Sequence, residues 1–191
     1  MSHLIIRRRI VAPMLRLAVA LVVAVGLLAP MGSAPAEVRA ADAFFDQTFG
    51  DFPEELQLAK EQGKDGLLLF FEMDECPFCK RMKDTVLNRA EVQEFYDQHF
   101  LVFSVDIEGD IEVVNFAGMS KPEKAFAFED HRVRATPVFL FVNLEGEPVV
   151  RYTGATSSVD EFMWLGEYVV NDLYEDYGSF TRYKRERRAE R

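Results

Sequence analysis

Apolar residues in this chain fall into short, nearly unbroken runs separated by amphipathic stretches. Leu67 to Met73 is apolar except for Glu72, and Phe100 to Asp106 reads Phe-Leu-Val-Phe-Ser-Val-Asp. Runs of this length without alternation mark strands buried on both faces. A third strand is expected over Pro137–Val142 and a fourth over Pro148–Tyr152. The turn Asn143-Leu144-Glu145-Gly146-Glu147 joins these two as an antiparallel hairpin. Helices fill the intervals. Pro53–Lys64 has a proline suited to a first turn, apolar Leu56 and Ala59, and Gly63 at its end. Pro77 to about Val86 reads as a second helix, and Glu91–His99 continues or restarts it. Pro122–Asp130 reads as a short helix, and Ile107–Lys121, with Gly109 and Gly118, as a less regular stretch. Val159–Tyr174 is amphipathic, with Phe162, Leu165, Val169 and Leu173 on one face. This order predicts an α/β fold, a central mixed sheet flanked by helices on both faces. The first two strands, joined by a long helix, should run parallel through a right-handed crossover.

The N-terminus follows a different pattern. Arg7, Arg8, Arg9 and Arg16 precede Leu17–Leu28, an apolar run of 12 residues. That run is shorter than the roughly 20 residues a bilayer span needs. Small-residue sites follow at Ala34-Pro35-Ala36 and Val38-Arg39-Ala40. Together these features predict a cleavable export signal over residues 1–40, with cleavage somewhere after Ala36 to Ala41, the alternative being an uncleaved anchor. A single domain over 41–178 and a charged tail over 179–191 complete the expected organisation. An exported chain occupies a compartment that tolerates or favours disulfides.

Charge then narrows the partners. Losing residues 1–40 removes five arginines and one glutamate and moves the formal charge from −10 to about −14. Such a chain is not expected to bind nucleic acid, nor to stay inserted in a membrane after signal cleavage. The exception is Arg182–Arg191, where six of ten residues are basic. It reads as a solvated, frayed helix rather than a docking arm.

The candidate chemistry lies in two cysteines, Cys76 and Cys79, in the run Cys76-Pro77-Phe78-Cys79. A disulfide between them closes too small a loop to staple a domain. Zinc needs four ligands, the pair supplies two, and His99 and His131 lack ligand spacing, so neither metal nor other cofactor is expected. A redox role fits better. Only a thiolate attacks a disulfide, and a helix N-terminus, with its free N–H groups and partial positive charge, stabilises one. Cys76 is therefore expected as the nucleophile, its sulfur exposed, with Cys79 a turn later as the resolving cysteine. Pro77 costs little in a first turn. Lys80 and Arg81 favour a thiolate, and Asp74 and Glu75 oppose it. Glu72, the one charge in the strand leading to the pair, is either a buried proton carrier for Cys79 or a residue at the strand's exposed end. Pro137, after Thr136, reads in isolation as a strand-edge proline.

The runs Leu67–Glu72 and Cys76–Met82, then Val105-Asp106, Val133-Arg134-Ala135-Thr136-Pro137, Gly146 and Gly154 resemble the thioredoxin superfamily. The likeness is greatest to exported thioredoxin-related proteins of the SoxW type, and it covers roughly residues 44–175. It implies dithiol–disulfide exchange with protein substrates through a mixed disulfide on Cys76. It also implies that Pro137 is a cis proline against the pair, that Thr136 receives substrate backbone, and that Gly154 borders the substrate groove beside Pro77 and Phe78. Departures are visible. Glu75 replaces the usual tryptophan, Pro-Phe replaces Gly-Pro, and the family's buried aspartate falls on Phe70. The resemblance further implies a disulfide-bearing protein partner and a membrane donor of reducing equivalents. An oxidant or isomerase uses the same motif, and a non-catalytic binding module or a metal chaperone could use the same fold.

Overall fold

A computed structural model of the chain describes residues 37–189. The export signal expected from the sequence lies largely outside them. A 3-10 turn at Ala41–Phe44 leads into helix α1, Phe52–Gln62. Asp51 caps α1 by accepting the Glu54 N–H at 3.1 Å, and Gly63 ends it with φ +69°.

Strand β1 (Gly66–Glu72) follows, then helix α2 (Pro77–Met82), which widens into a π turn over Lys83–Leu87. Helix α3 (Ala90–His99) leads to β2 (Phe100–Asp106). A small hairpin, β3 (Glu112–Val114) and β4 (Ser120–Pro122), occupies the stretch expected to be less regular. The short helix α4 (Glu123–Ala125) widens into a second π turn over Phe126–Asp130. Strands β5 (Val138–Asn143) and β6 (Pro148–Thr153) form the expected hairpin, and α5 (Val159–Val170), α6 (Leu173–Tyr177) and α7 (Phe180–Ala189) end the chain.

The main sheet has the order β2-β1-β5-β6. β1 pairs parallel with β2 and antiparallel with β5, and β5 pairs antiparallel with β6. This is the α/β architecture expected from the sequence. The reason β1, β2 and β5 lack alternation is direct: nearly every residue in them is buried, whereas edge strand β6 keeps exposed positions. Leu68 and Phe70 of β1 pack with Phe100, Val102, Phe139 and Phe141 against α3 and α5. Leu67, Leu69 and Phe71 face the other way, toward Phe52 and Leu56 of α1 and toward Phe126. Burying a side chain of this size contributes roughly 1.5–3 kcal/mol. Tyr96 and Phe162 stack at 4.5 Å between α3 and α5, and the Tyr96 hydroxyl donates to the Phe162 carbonyl at 2.7 Å.

Two expectations need correction. The last long helix does not run to Tyr174. It stops at Val170, because Asp172 takes a left-handed conformation at φ +52° and starts a new short helix. The basic tail is not a frayed, solvated helix either. As α7 it folds back onto α5, with Phe180 and Tyr183 buried.

The charges of α7 converge on Glu161, which is 2% exposed. Lys184 reaches its carboxylate at 2.6 Å and Arg188 at 3.2 Å. The Tyr152 hydroxyl adds a contact at 3.2 Å, and the Ser157 hydroxyl hydrogen-bonds it as well. Burial by itself would raise this carboxyl, but the hydrogen bonds from Lys184 and Ser157 outweigh it and hold the group below its ordinary 4.5. Because the folded value is depressed, the stabilisation is present above pH 4.5 and is lost as pH falls through the folded value. Lys184→Met is expected to cost about 2 kcal/mol at neutral pH. That is less than the roughly 3–5 kcal/mol of a fully unpaired buried charge, since Arg188 remains. Urea unfolding across a pH series checks this, and the gap between variant and wild type should close on acidification.

Candidate active site

β1 delivers the chain to the cysteine pair at the end of the sheet. The same end holds the start of β5 and the finish of β6, since Phe71 pairs with Val138 and Val138 with Thr153. Pro137, one residue before Val138, therefore lies beside the end of β1. Its carbonyl accepts the Gly154 N–H at 2.8 Å. Glu72, the cysteine loop, Pro137 and Gly154 thus share one edge of the molecule.

Cys76 and Cys79 form a disulfide with their Cα atoms 5.2 Å apart. Cys76 is the N-cap of α2, and its Sγ accepts the Cys79 N–H at 3.0 Å. This is the contact a thiolate at a helix start needs: a free first-turn N–H aimed at sulfur, with the helix dipole behind it. The expected exposure of Cys76 needs correction. The residue is 6% exposed and Cys79 2%, because the oxidised pair closes on itself at the floor of a cleft.

That cleft, about 270 Å³, is lined by Glu72, Met73, Cys76, Cys79, Lys80 and Lys83, with acidic Asp42, Asp74 and Asp84 also reaching it. Glu72 is the last residue of β1, half-buried, and lines this cleft. Its side chain is 19% exposed and pairs with Lys83 at 2.7 Å. The Ser104 hydroxyl of β2 donates to it at 2.5 Å. Lys80 pairs instead with Asp84 at 2.8 Å.

The remaining expected residues surround the pair. Pro77 and Phe78 are exposed on α2, and the Arg81 guanidinium lies 5.5 Å from the Phe78 ring centroid. Arg81 also donates to the Thr156 carbonyl at 3.3 Å, joining α2 to the loop after Gly154. The Thr136–Pro137 peptide is cis. Pro137 is buried and Thr136 half-buried, and the Thr136 hydroxyl has no hydrogen-bond partner among the described residues.

Sequence reasoning missed Lys83 and Ser104. Both had a signal. Lys83 stands four residues after Cys79 on a helix, and Ser104 is the polar break in an apolar strand. The approach of Asp42 had none, because it depends on how the lead-in segment folds back.

A family described as a thioredoxin-like domain matches residues 52–170. Among curated protein sequences, none matches this chain significantly. Solved structures with the same fold are similar as well, two of them as follows. A thioredoxin-fold protein from Helicobacter pylori superposes with a TM-score of 0.57 at 18% identity, over 78% of this chain and 90% of its own. A thioredoxin from Thermus thermophilus superposes with a TM-score of 0.50 at 28% identity, over 63% of this chain and 84% of its own.

Gly154 has φ +101°, and a Cβ there would meet no atom within 4 Å. Gly154→Ala therefore isolates backbone strain from clash. It is expected to cost roughly 1–3 kcal/mol, read as a lower urea midpoint with an unchanged slope.

Proposed function

This chain belongs to the thioredoxin-like domain family, and we propose that it is an exported thiol–disulfide oxidoreductase that reduces disulfides in a protein partner. The observation that carries this reading is the Cys79 N–H aimed at the Cys76 sulfur across the first turn of α2. It supports Cys76 as the sulfur that bears negative charge in the reduced protein, and so as the nucleophile.

The reduced protein attacks with the Cys76 thiolate. One sulfur of the substrate disulfide bonds to Cys76, and the other leaves with the electron pair and takes up a proton. Cys79 then loses its proton, bonds to Cys76, and expels the substrate's first sulfur as a second thiolate, which is protonated in turn. The substrate gains two electrons and the protein ends in the oxidised state described above. Glu72 sits in the same cleft and serves as acceptor for the Cys79 proton. Pro137 and Thr136 form the wall that receives substrate backbone, with Pro77, Phe78 and Gly154 bordering the groove.

Export is supported by the basic, apolar and small-residue order of the first 36 residues. Residues just beyond them are tied into the fold: the Ala90 N–H donates to the Glu37 carbonyl at 3.0 Å and the Arg39 N–H to the Asn88 carbonyl at 2.7 Å. Cleavage after Ala36 keeps these contacts. Outside the cytoplasm the oxidised pair needs a membrane donor of reducing equivalents. The SoxW type remains the resemblance from which that placement is drawn.

Wild type is expected to reduce insulin disulfides in the presence of a dithiol, and Cys76→Ser to lose that activity entirely. Equal activity in both would end the enzyme reading in favour of a binding module. A reduction potential near roughly −270 mV supports the reducing direction, and one near roughly −120 mV would make the protein an oxidant. Cys79→Ser, expressed in the native compartment, is expected to accumulate a mixed disulfide on Cys76 that mass spectrometry identifies.

A further inference from the structure

Lys83 carries chemistry that the cysteine pair and Glu72 do not account for. Its backbone N–H donates to the Cys79 carbonyl, with φ −59° and ψ −44°, so it stands one α-helical turn after Cys79. Residues four apart on a helix have Cβ atoms about 5–6 Å from one another. Side chains also tilt toward the helix N-terminus, so Lys83 leans toward the turn that holds Cys79, and both line the same cleft.

The lysine head group is held by three neighbours. Its ammonium lies 2.7 Å from Glu72, and 5.4 and 5.9 Å from the ring centroids of Phe45 and Phe70. Glu72 is fixed in turn by Ser104. Phe70 is the position where the resemblance places a buried aspartate. Here the ring of that phenylalanine supports a cation, and the carboxylate comes from two residues further along the strand.

We propose that Lys83 is a positioning residue for the resolving step, holding the Glu72 carboxylate beside Cys79 and offsetting the negative charge of the Cys79 thiolate as it forms. This rests on the oxidoreductase reading. In that step the Cys79 S–H bond breaks and its proton passes to Glu72. The Cys79 sulfur bonds to Cys76, and the Cys76–substrate bond breaks with its electron pair on the substrate sulfur. Glu72 then returns the proton to that sulfur, so atoms and electrons balance within the complex. The ammonium orients the Glu72 carboxylate before the transfer and stays in the shared cleft after it.

Other charges bear on Cys79 from the same cleft: Asp42, Asp74 and Asp84, together with Lys80, which Asp84 already engages. Lys83 differs in its pairing with Glu72 and its place one turn beyond the reacting sulfur.

The test uses reduced full-length mature protein carrying Cys76→Ser, so that Cys79 is the sole thiol. Its thiolate ultraviolet absorbance is followed against pH. Adding Lys83→Met is expected to move the midpoint up by about one pH unit, the effect of losing an opposite charge one helical turn away. Lys83→Arg should leave it nearly in place. Glu72→Gln removes an anion and should move it down. In proteins with both cysteines, Lys83→Met and Glu72→Gln should both slow release of the mixed disulfide, by about tenfold, while the first attack by Cys76 keeps its rate. Opposite midpoint shifts with a shared loss in resolution support the proposal. Midpoints that shift in the same direction in both variants, or a Lys83→Met midpoint equal to that of the Cys76→Ser parent, would overturn it. Circular dichroism and the urea midpoint of each variant separate these outcomes from unfolding. Cys76→Ser without loss of insulin reduction would instead refute the oxidoreductase reading, while the midpoints still report the Lys83–Cys79 interaction.

Discussion

Strand β1 has no face turned to water, and the active site is built on that fact. Leu68 and Phe70 are enclosed by α3 and α5, and Leu67, Leu69 and Phe71 by α1 and the second π turn. A strand clamped on both faces and paired with β2 and β5 along both edges has little freedom left. Its last residue and the loop that follows are therefore delivered to a fixed place. The cysteine pair needs such placement, since thiol exchange depends on a sulfur, an incoming disulfide and a resolving sulfur meeting in line.

The end of β1 is also where the core stops being apolar. Glu72 is the first residue with water to one side, and Ser104 and Lys83 close around it. An isolated carboxylate at that depth would carry a desolvation cost, and the lysine and hydroxyl offset it. The same arrangement places one negative and one positive group in the cleft shared by both cysteines. The ion pair that satisfies Glu72 is thus also the one proposed above to act on Cys79.

A second charged centre secures the far side. Glu161 draws Lys184 and Arg188 of α7 onto α5, and through Ser157 it also holds the loop after Gly154. That loop is bound on its other side by Arg81 of the cysteine-bearing helix. The basic C-terminal helix is in this way joined to the rim of the active-site cleft through a chain of short contacts.

The sequence by itself determined the sheet, most of its helices and the cysteine pair. Unbroken apolar runs such as Leu67–Phe71 have few explanations besides a strand buried on both faces, and Cys76-Pro77-Phe78-Cys79 at a helix start has few uses besides thiol exchange. Gly63 ended its helix where a left-handed residue was required. The tertiary structure alone decided which charges meet. Lys83, Ser104 and Glu72 come from three elements, and no local pattern states that they converge. The tail shows the same limit. Its charge density reads as solvent-facing until Glu161, buried in α5, supplies a partner that only packing could bring within reach. Local periodicity reports which way a side chain points relative to its own element. The identity of what it then touches is set by how the elements close on one another, and in this protein that closure assembled the cleft around Cys76 and Cys79.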